Sequence, residues 1–388
     1  MKVLIAHNDY GRHSGEEAVV DQMERMLATN GHQVCSYRPG TAEYQAGIDN
    51  KVRVFLSGIY SHQGVQNIKK LILAERPDVV NIHNLYPFIS PAALFVCKAA
   101  GIPVVMTVHN YRLICPTGLF LRDGQPCEHC LHQGHEWGCV RFNCAQNTFK
   151  SMGYALRGTV ARKMGAYMKN VDRYVCLTSF QKTKLIEAGF AEEKIRVIPN
   201  SVPAPVSTYS FSGDYVAYVG RLSEEKGWDL LLRVAARNPW IRFAVAGEVV
   251  GGGNLPIPDN IEFRGFLDGE ELKRFYRHAR FLVIPSRCYE GFPVVALEAM
   301  AMGKPVIAPD HGGFSEIIGS GSEAVGCLFR PNDMDDLEQV VLDLWESEDL
   351  LRAMGRRAME KVRACYSADR VSRMWEDVFS EIQLKPCI

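Results

Sequence analysis

Short runs of apolar and β-branched residues recur along this chain, each followed by a turn and then by helical spacing. VLIA (3–6), VVNI (79–82), VVMTV (104–108), YVCLT (174–178) and IRVIP (195–199) mark the first half. YVAYV (215–219), FAVA (243–246), FLVIP (281–285) and PVIA (305–308) mark the second. Runs without polar alternation read as strands buried on both faces, and parallel strands need helical crossovers. The pattern therefore dictates α/β architecture with doubly wound parallel sheets. At 388 residues the chain divides into about two domains.

The stretch NSVPAPVSTYSFSGD (200–214) is rich in Pro and Ser, lacks periodicity and reads as the linker. We expect a first Rossmann-like domain over 1–200 and a second over 201–366. A terminal segment, 367–388, would carry a helix over Asp369–Ile382 that packs back on the first domain. Ser14 and Glu17 have capping-box spacing, with Met23, Met26 and Leu27 as the buried stripe and Gly31 as the stop. Asp268 and Glu271 repeat that spacing before a later helix.

Lysine plus arginine and aspartate plus glutamate both total 44, so no global field marks a nucleic-acid binder. Any anion must be held by local arrangement. The longest apolar region, Pro91 to Val108, is broken by Lys98, Gly101 and Pro103, and reads as a helix and a strand rather than a membrane span. The apolar run in MKVLIAHNDY is too short for a signal peptide, and the twelve cysteines then point to a reducing compartment. The expected location is the cytoplasm.

In open parallel sheets, ligands bind beyond the carboxyl ends of the strands. Gly15 follows the first strand, His83 follows VVNI, and His109 and Asn110 follow VVMTV. Thr178 ends YVCL, Gly220 and Arg221 follow YVAYV, and Gly247 follows FAVA. Ser286 to Glu290 follow FLVIP, and His311 to Gly313 follow PVIA. The whole set implies two domains whose functional edges face one cleft.

The stretch YEGFPVVALEAMAMGKPVIAPDHGG (289–313) places Glu290 and Glu298 eight positions apart in an otherwise apolar segment. Pro293 suits the first turn of a helix there, because its missing N–H would be unpaired anyway. The free amides at that helix start, with Gly291, Phe292 and Val294 around it, suit a phosphate. Eight helical residues span roughly 12 Å. A diphosphate over the helix start would leave a sugar near each carboxylate. In GRLSEEKGW (220–228), Arg221 offers a planar fork and Lys226 a point charge, both matched to phosphate oxygens. Such groups stabilise charge growing on a leaving diphosphate. No Asp-x-Asp pair is poised to hold a metal for that work.

HSGEE (13–17), VHN (108–110), GRLSEEKG (220–227) and EGFPVVALE (290–298) together resemble the retaining glycosyltransferases of family 4, which have the GT-B fold. That resemblance implies a nucleotide-sugar donor, UDP- or GDP-linked, bound mainly by the second domain without a catalytic metal. It implies that Arg221 and Lys226 hold the diphosphate, that Glu290 with the Gly291 and Phe292 amides meets the sugar, and that Glu298 takes the ribose. The base would lie near Gly247, Phe266 and Leu267. His109 would face the donor sugar, His83 and Asn110 would serve the acceptor, and Gly15 would let the first helix approach. The implied partner is a saccharide or lipid-linked saccharide, in surface polysaccharide or lipopolysaccharide assembly. The implied reaction keeps anomeric configuration, the departing phosphate taking the acceptor proton; a covalent intermediate on Glu290 is the rival.

Cys115, Cys127, Cys130, Cys139 and Cys144 crowd into an insert, 115–144. C-x2-C followed by C-x4-C fits a structural zinc site; packed reduced thiols are the alternative. Residues 145–173 carry Lys150, Arg157, Arg162, Lys163, Lys169 and Arg173 against Asp172, interleaved with Met and Tyr. A helix there would rest on an anionic membrane surface or pack on the first sheet. Other functions open to such a chain are a nucleotide-sugar epimerase or hydrolase, a pyridoxal-phosphate phosphorylase, and a non-catalytic nucleotide-sugar sensor.

Overall fold

Fourteen strands can be followed along the computed structural model, which describes residues 1–9, 15–40, 55, 57–202, 213–249 and 256–383. In chain order come β1 (Lys2–Ala6), β2 (Gln33–Tyr37), β3 (Val79–Ile82) and β4 (Val104–Val108). A short antiparallel hairpin follows, β5 (Leu121–Arg122) with β6 (Gln125–Pro126), then β7 (Arg173–Cys176) and β8 (Ile195–Val197). The second half holds β9 (Tyr215–Val219), β10 (Phe243–Ala246), β11 (Ile261–Gly265), β12 (Ala279–Val283), β13 (Val306–Pro309) and β14 (Gly326–Phe329).

Two six-stranded sheets result, ordered β2-β1-β3-β4-β7-β8 and β11-β10-β9-β12-β13-β14. Every pairing within them is parallel. The inner strands are buried along their length, as β3, β4, β7 and β10 show, because helices cover both faces of a parallel sheet. Three strands went unread in the sequence: β2, β11 and β14. All three are edge strands with exposed or half-exposed positions.

The chain divides into two units. One comprises Met1–Leu119, Glu128–Pro199 and the stretch from Ser372 onward; the other comprises Phe120–Cys127 and Asn200–Val371. The hairpin β5-β6, inside the insert expected in the first domain, therefore belongs with the second unit. There Asn332 donates to Gln125 (3.0 Å), and the Phe120 ring lies 5.8 Å from that of Tyr289. The greater part of the linker, 203–212, lies outside the described residues, as does Ser14 of the capping box.

The helix Gly15–Thr29 buries Glu17, Val20, Met23 and Leu27, while Met26 is only half-buried. Gly31, at φ 82°, closes it. Asp268 sits at the N-cap of the helix Gly269–His278 but makes no side-chain capping bond, so the expected box is not formed. The basic stretch forms two helices, Thr148–Lys163 and Ala166–Asn170, the first capped by Asn147, which accepts from Lys150 N–H. Among the described residues no helix is long and apolar enough to cross a membrane.

The last helix, Ala368–Gln383, buries Val371, Trp375, Val378, Phe379 and Ile382 at helical spacing. In the first unit Glu381 accepts from Arg173 (2.9 Å) and from Arg196 (2.8 Å), and Glu376 meets His32 at 2.6 Å. Arg173 is buried, so removing that carboxylate would take away the counter-charge of its guanidinium. Glu381→Gln is expected to lower the unfolding free energy by about 1–2 kcal/mol, read by urea titration. An unchanged midpoint would show that Glu381 does not hold this helix.

Candidate functional site

The order of the second sheet reverses between β9 and β12, the switch point at which open parallel sheets bind ligands. The β9 loop runs through Gly220, Arg221 and the 3-10 turn Glu224–Lys226 to Gly227. Gly227 has φ 69°, and a Cβ there would lie 1.8 Å from the Pro285 carbonyl oxygen of the β12 loop. Only glycine permits that approach. It brings Lys226 to the carboxylate at the far end of the β12 loop, and Lys226 Nζ donates to Glu290 Oε1. Ser286 Oγ donates to the same oxygen at 2.7 Å.

Arg287 fastens this loop by pairing Nη1 and Nη2 with Asp229 and by donating from Nε to Asn332 Oδ1 (3.0 Å) and from Nη1 to the Glu224 carbonyl (2.9 Å). Gly313 N–H donates to the Glu290 carbonyl at 3.1 Å, tying down its backbone as well. Burial acts to raise the Glu290 pKa, but Lys226 and Ser286 outweigh it and hold the carboxyl below its usual range. Burial likewise opposes the charge on Lys226, and Glu290 reverses that and raises its pKa. Both groups are therefore ionised at neutral pH. Arg221 is largely exposed, 3.4 Å from Glu225, with its carbonyl accepting from the Tyr218 hydroxyl (2.6 Å).

The helix after Glu290 spans Val294–Ala301, so Pro293 is its N-cap residue rather than part of its first turn. Gly291 and Phe292 are buried just before it, Phe292 against the Tyr366 ring at 5.5 Å. Val294 is half-exposed. Glu298 accepts from the Tyr276 hydroxyl at 2.9 Å; burial raises its pKa and that bond partly offsets the rise. Gly220 and Gly247 have φ 147° and 149°, and a Cβ on Gly247 would sit 1.9 Å from the Gly220 carbonyl oxygen. Phe266 and Leu267 follow β11, with Phe266 half-exposed at 50%.

In the first unit, His7, His83 and His109 end β1, β3 and β4, which are neighbours in the sheet. His83 Nδ1 and His109 Nε2 are 2.8 Å apart with the rings stacked, and His7 lies edge-on to His83 at 6.3 Å. Burial lowers all three pKa values, that of His7 to about 4. The trio is neutral at pH 7, with one of the facing nitrogens donating and the other accepting. A cavity of about 40 Å³ opens beside His83, His109 and Asn110. Asn110 donates to Glu16 at 3.1 Å and accepts from Arg112 N–H at 3.1 Å. Gly15 opens the first helix with no atom within 4 Å of where a Cβ would stand. Thr178 is fully buried and caps the helix Ser179–Glu187 by accepting from Gln181 N–H.

The eleven described cysteines are free thiols. Cys139 is hydrogen-bonded to Cys144, which together with burial pushes its pKa up, and Cys115 and Cys130 are close enough to add to that rise. Cys127 belongs to the hairpin of the second unit. A tetrahedral zinc site with bonds of 2.3 Å sets its sulfurs about 3.8 Å apart. Among the described residues, the one three-membered set of ligating atoms within 4.8 Å is His7, Asp9 and Glu17, so the cysteine sulfurs are not drawn together to that spacing in this structure. In that set Asp9 is already paired with Arg38 at 3.0 Å.

The sequence reading missed His7, although it follows VLIA just as His83 follows VVNI. It also missed Ser286 and Tyr276 as carboxylate partners. Tyr276 sits in an ordinary helical pattern and offered no local signal.

Two family models match side by side: Glycosyltransferase Family 4 over residues 13–204 and Glycosyl transferases group 1 over residues 212–361. An uncharacterized 42.6 kDa protein of the cps region of Klebsiella pneumoniae is 26% identical over 75% of this chain and 72% of its own. Mannosylfructose-phosphate synthase of Agrobacterium fabrum is 30% identical over 51% of this chain and 50% of its own, so the match spans about half of that relative. Among solved structures, Anabaena HepE in complex with UDP and glucose superposes with TM-score 0.68 at 16% identity, covering 98% of this chain and 100% of that one. The fold is GT-B, two Rossmann-like parallel-sheet units. With both models matched, the chain is a glycosyltransferase of the family 4 type.

The neutral histidines predict acid sensitivity. Because the folded-state pKa of His7 lies below its unfolded value, the unfolded chain binds the extra proton first as pH falls. Stability is complete above pH 6.5 and is lost toward about pH 4. The loss from His7 alone is about 1.4 kcal/mol per pH unit, about 3 kcal/mol in all. Urea unfolding of wild type at pH 7, 6 and 5 should show that slope, and His7→Gln should flatten it; identical slopes would refute the assignment.

Proposed function

We propose that the second unit binds a nucleoside-diphosphate sugar and that the protein transfers its sugar, with retention, to a saccharide or lipid-linked saccharide bound through the first. The observation that carries this reading is the Lys226–Glu290 pair, beside Arg221 and ahead of the helix Val294–Ala301. The diphosphate rests on the amides of that helix start, with Arg221 and Lys226 on its oxygens. The ionised Glu290 accepts hydrogen bonds from sugar hydroxyls, and Glu298 does so from the ribose. Gly247, Phe266 and Leu267 line the place of the base.

In the transfer the acceptor oxygen bonds to the anomeric carbon as the bond to the diphosphate breaks. The acceptor proton passes to the departing phosphate oxygen. Negative charge gathers on that phosphate, where Arg221 and Lys226 already stand in place. The neutral pair His83–His109, with Asn110, offers hydrogen-bonding groups to acceptor hydroxyls. HepE, solved with UDP and glucose, supports a UDP-sugar donor, and the Klebsiella relative of the cps region supports surface polysaccharide assembly.

A cytoplasmic protein touching an anionic membrane fits the exposed Trp137, Phe149, Met152, Met164 and Met168, set among exposed Lys150, Lys163 and Lys169.

A thermal-shift panel of UDP-, GDP- and ADP-sugars identifies the donor, which alone raises the melting temperature appreciably. With that donor, Lys226→Ala and Glu290→Gln should each cut transfer at least about 100-fold, while wild type keeps its rate in EDTA. Wild-type rates in either variant would sink the reading, and rapid donor turnover without acceptor would replace it with hydrolysis or epimerisation.

A further inference from the structure

A larger cavity in the first unit, about 150 Å³, shares Arg112, Leu113 and Tyr167 with the small one beside His83 and His109. Most of its wall is apolar, supplied by Leu113, Ile114, Leu131, Met168 and Phe190. Its charges are unevenly matched. Glu136 is taken up by Arg162, Nε to Oε1 at 2.9 Å and Nη2 to Oε2 at 3.1 Å, and by the Thr159 hydroxyl at 2.8 Å. Glu187 is taken up by Lys184 at 2.9 Å.

Arg157 is different. Its guanidinium lies over the Tyr86 ring at 4.0 Å and the Tyr154 ring at 4.6 Å, and Nη2 donates to the Pro116 carbonyl at 3.1 Å. Among the described residues no carboxylate pairs with it, and Arg112 adds a second positive charge nearby. Burial first, and Arg112 after it, pull its pKa below the ordinary value. Two aromatic faces hold the planar fork in place while its remaining N–H donors are free to meet an oxyanion. A cation withdrawn from water without a counter-charge is costly unless a ligand supplies one.

We propose that this cavity binds an organic phosphate bearing an apolar chain, the phosphate on Arg157 and the chain along Leu113, Ile114, Leu131, Met168 and Phe190. Met168 both lines the cavity and is 45% exposed, so a longer chain leaves by that edge. The inference rests on the acceptor side of the transfer reading and names that acceptor as phosphate-bearing. It requires no donor, so the two can fail separately.

The test is calorimetric titration of the intact protein, without nucleotide sugar, using geranyl phosphate, geraniol and inorganic phosphate. Geranyl phosphate should saturate, with geraniol and inorganic phosphate each at least tenfold weaker. Arg157→Lys should weaken geranyl phosphate at least tenfold. Met168→Glu, a rim change that leaves the core untouched, should weaken geranyl phosphate but not inorganic phosphate. Equal affinity for geraniol and geranyl phosphate would overturn the anion site. Equal affinity for inorganic and geranyl phosphate would make the ligand a water-soluble phosphate and overturn the chain. Failure of every nucleotide sugar to stabilise the protein, with geranyl phosphate still bound, would fault the donor reading alone.

Discussion

The contact between Gly227 and the Pro285 carbonyl governs the site of the second unit. Two loops leave neighbouring strands at the point where the sheet order reverses, and only a residue without Cβ lets them meet. Once they touch, a lysine and a glutamate 64 positions apart in sequence form an ion pair. Arg287 and Asp229 fix the same two loops from the other side. The site is therefore set by backbone packing before any ligand arrives, which is the condition for electrostatic stabilisation without reorganisation.

The Lys226–Glu290 pair and the histidine trio meet burial with opposite outcomes. In the second unit burial opposes charge on Glu290 and Lys226, and their mutual attraction prevails, leaving both ionised. In the first unit burial prevails over His7, His83 and His109, and the three rings stay neutral. Arg157 follows a third rule, a cation kept by aromatic faces rather than by a carboxylate.

Misreadings in the sequence have physical causes. β2 and β11 mix polar residues among the apolar ones because an edge strand is covered less completely than a central one. Asp268 stands at a helix N-cap but forms no capping bond, since spacing fixes position along the chain and not side-chain direction.

The sequence alone determined the central strands, the parallel sheets and the glycines, acids and bases at strand ends, because burial on both faces and the need for helical crossovers leave a local imprint. Only the tertiary structure decided which of those residues meet. It joined Lys226 to Glu290 and His83 to His109, gave Glu298 to Tyr276, and left Arg157 between two tyrosines. Such pairings depend on strand order and loop approach, which arise from contacts between distant segments and leave no periodic trace in the chain.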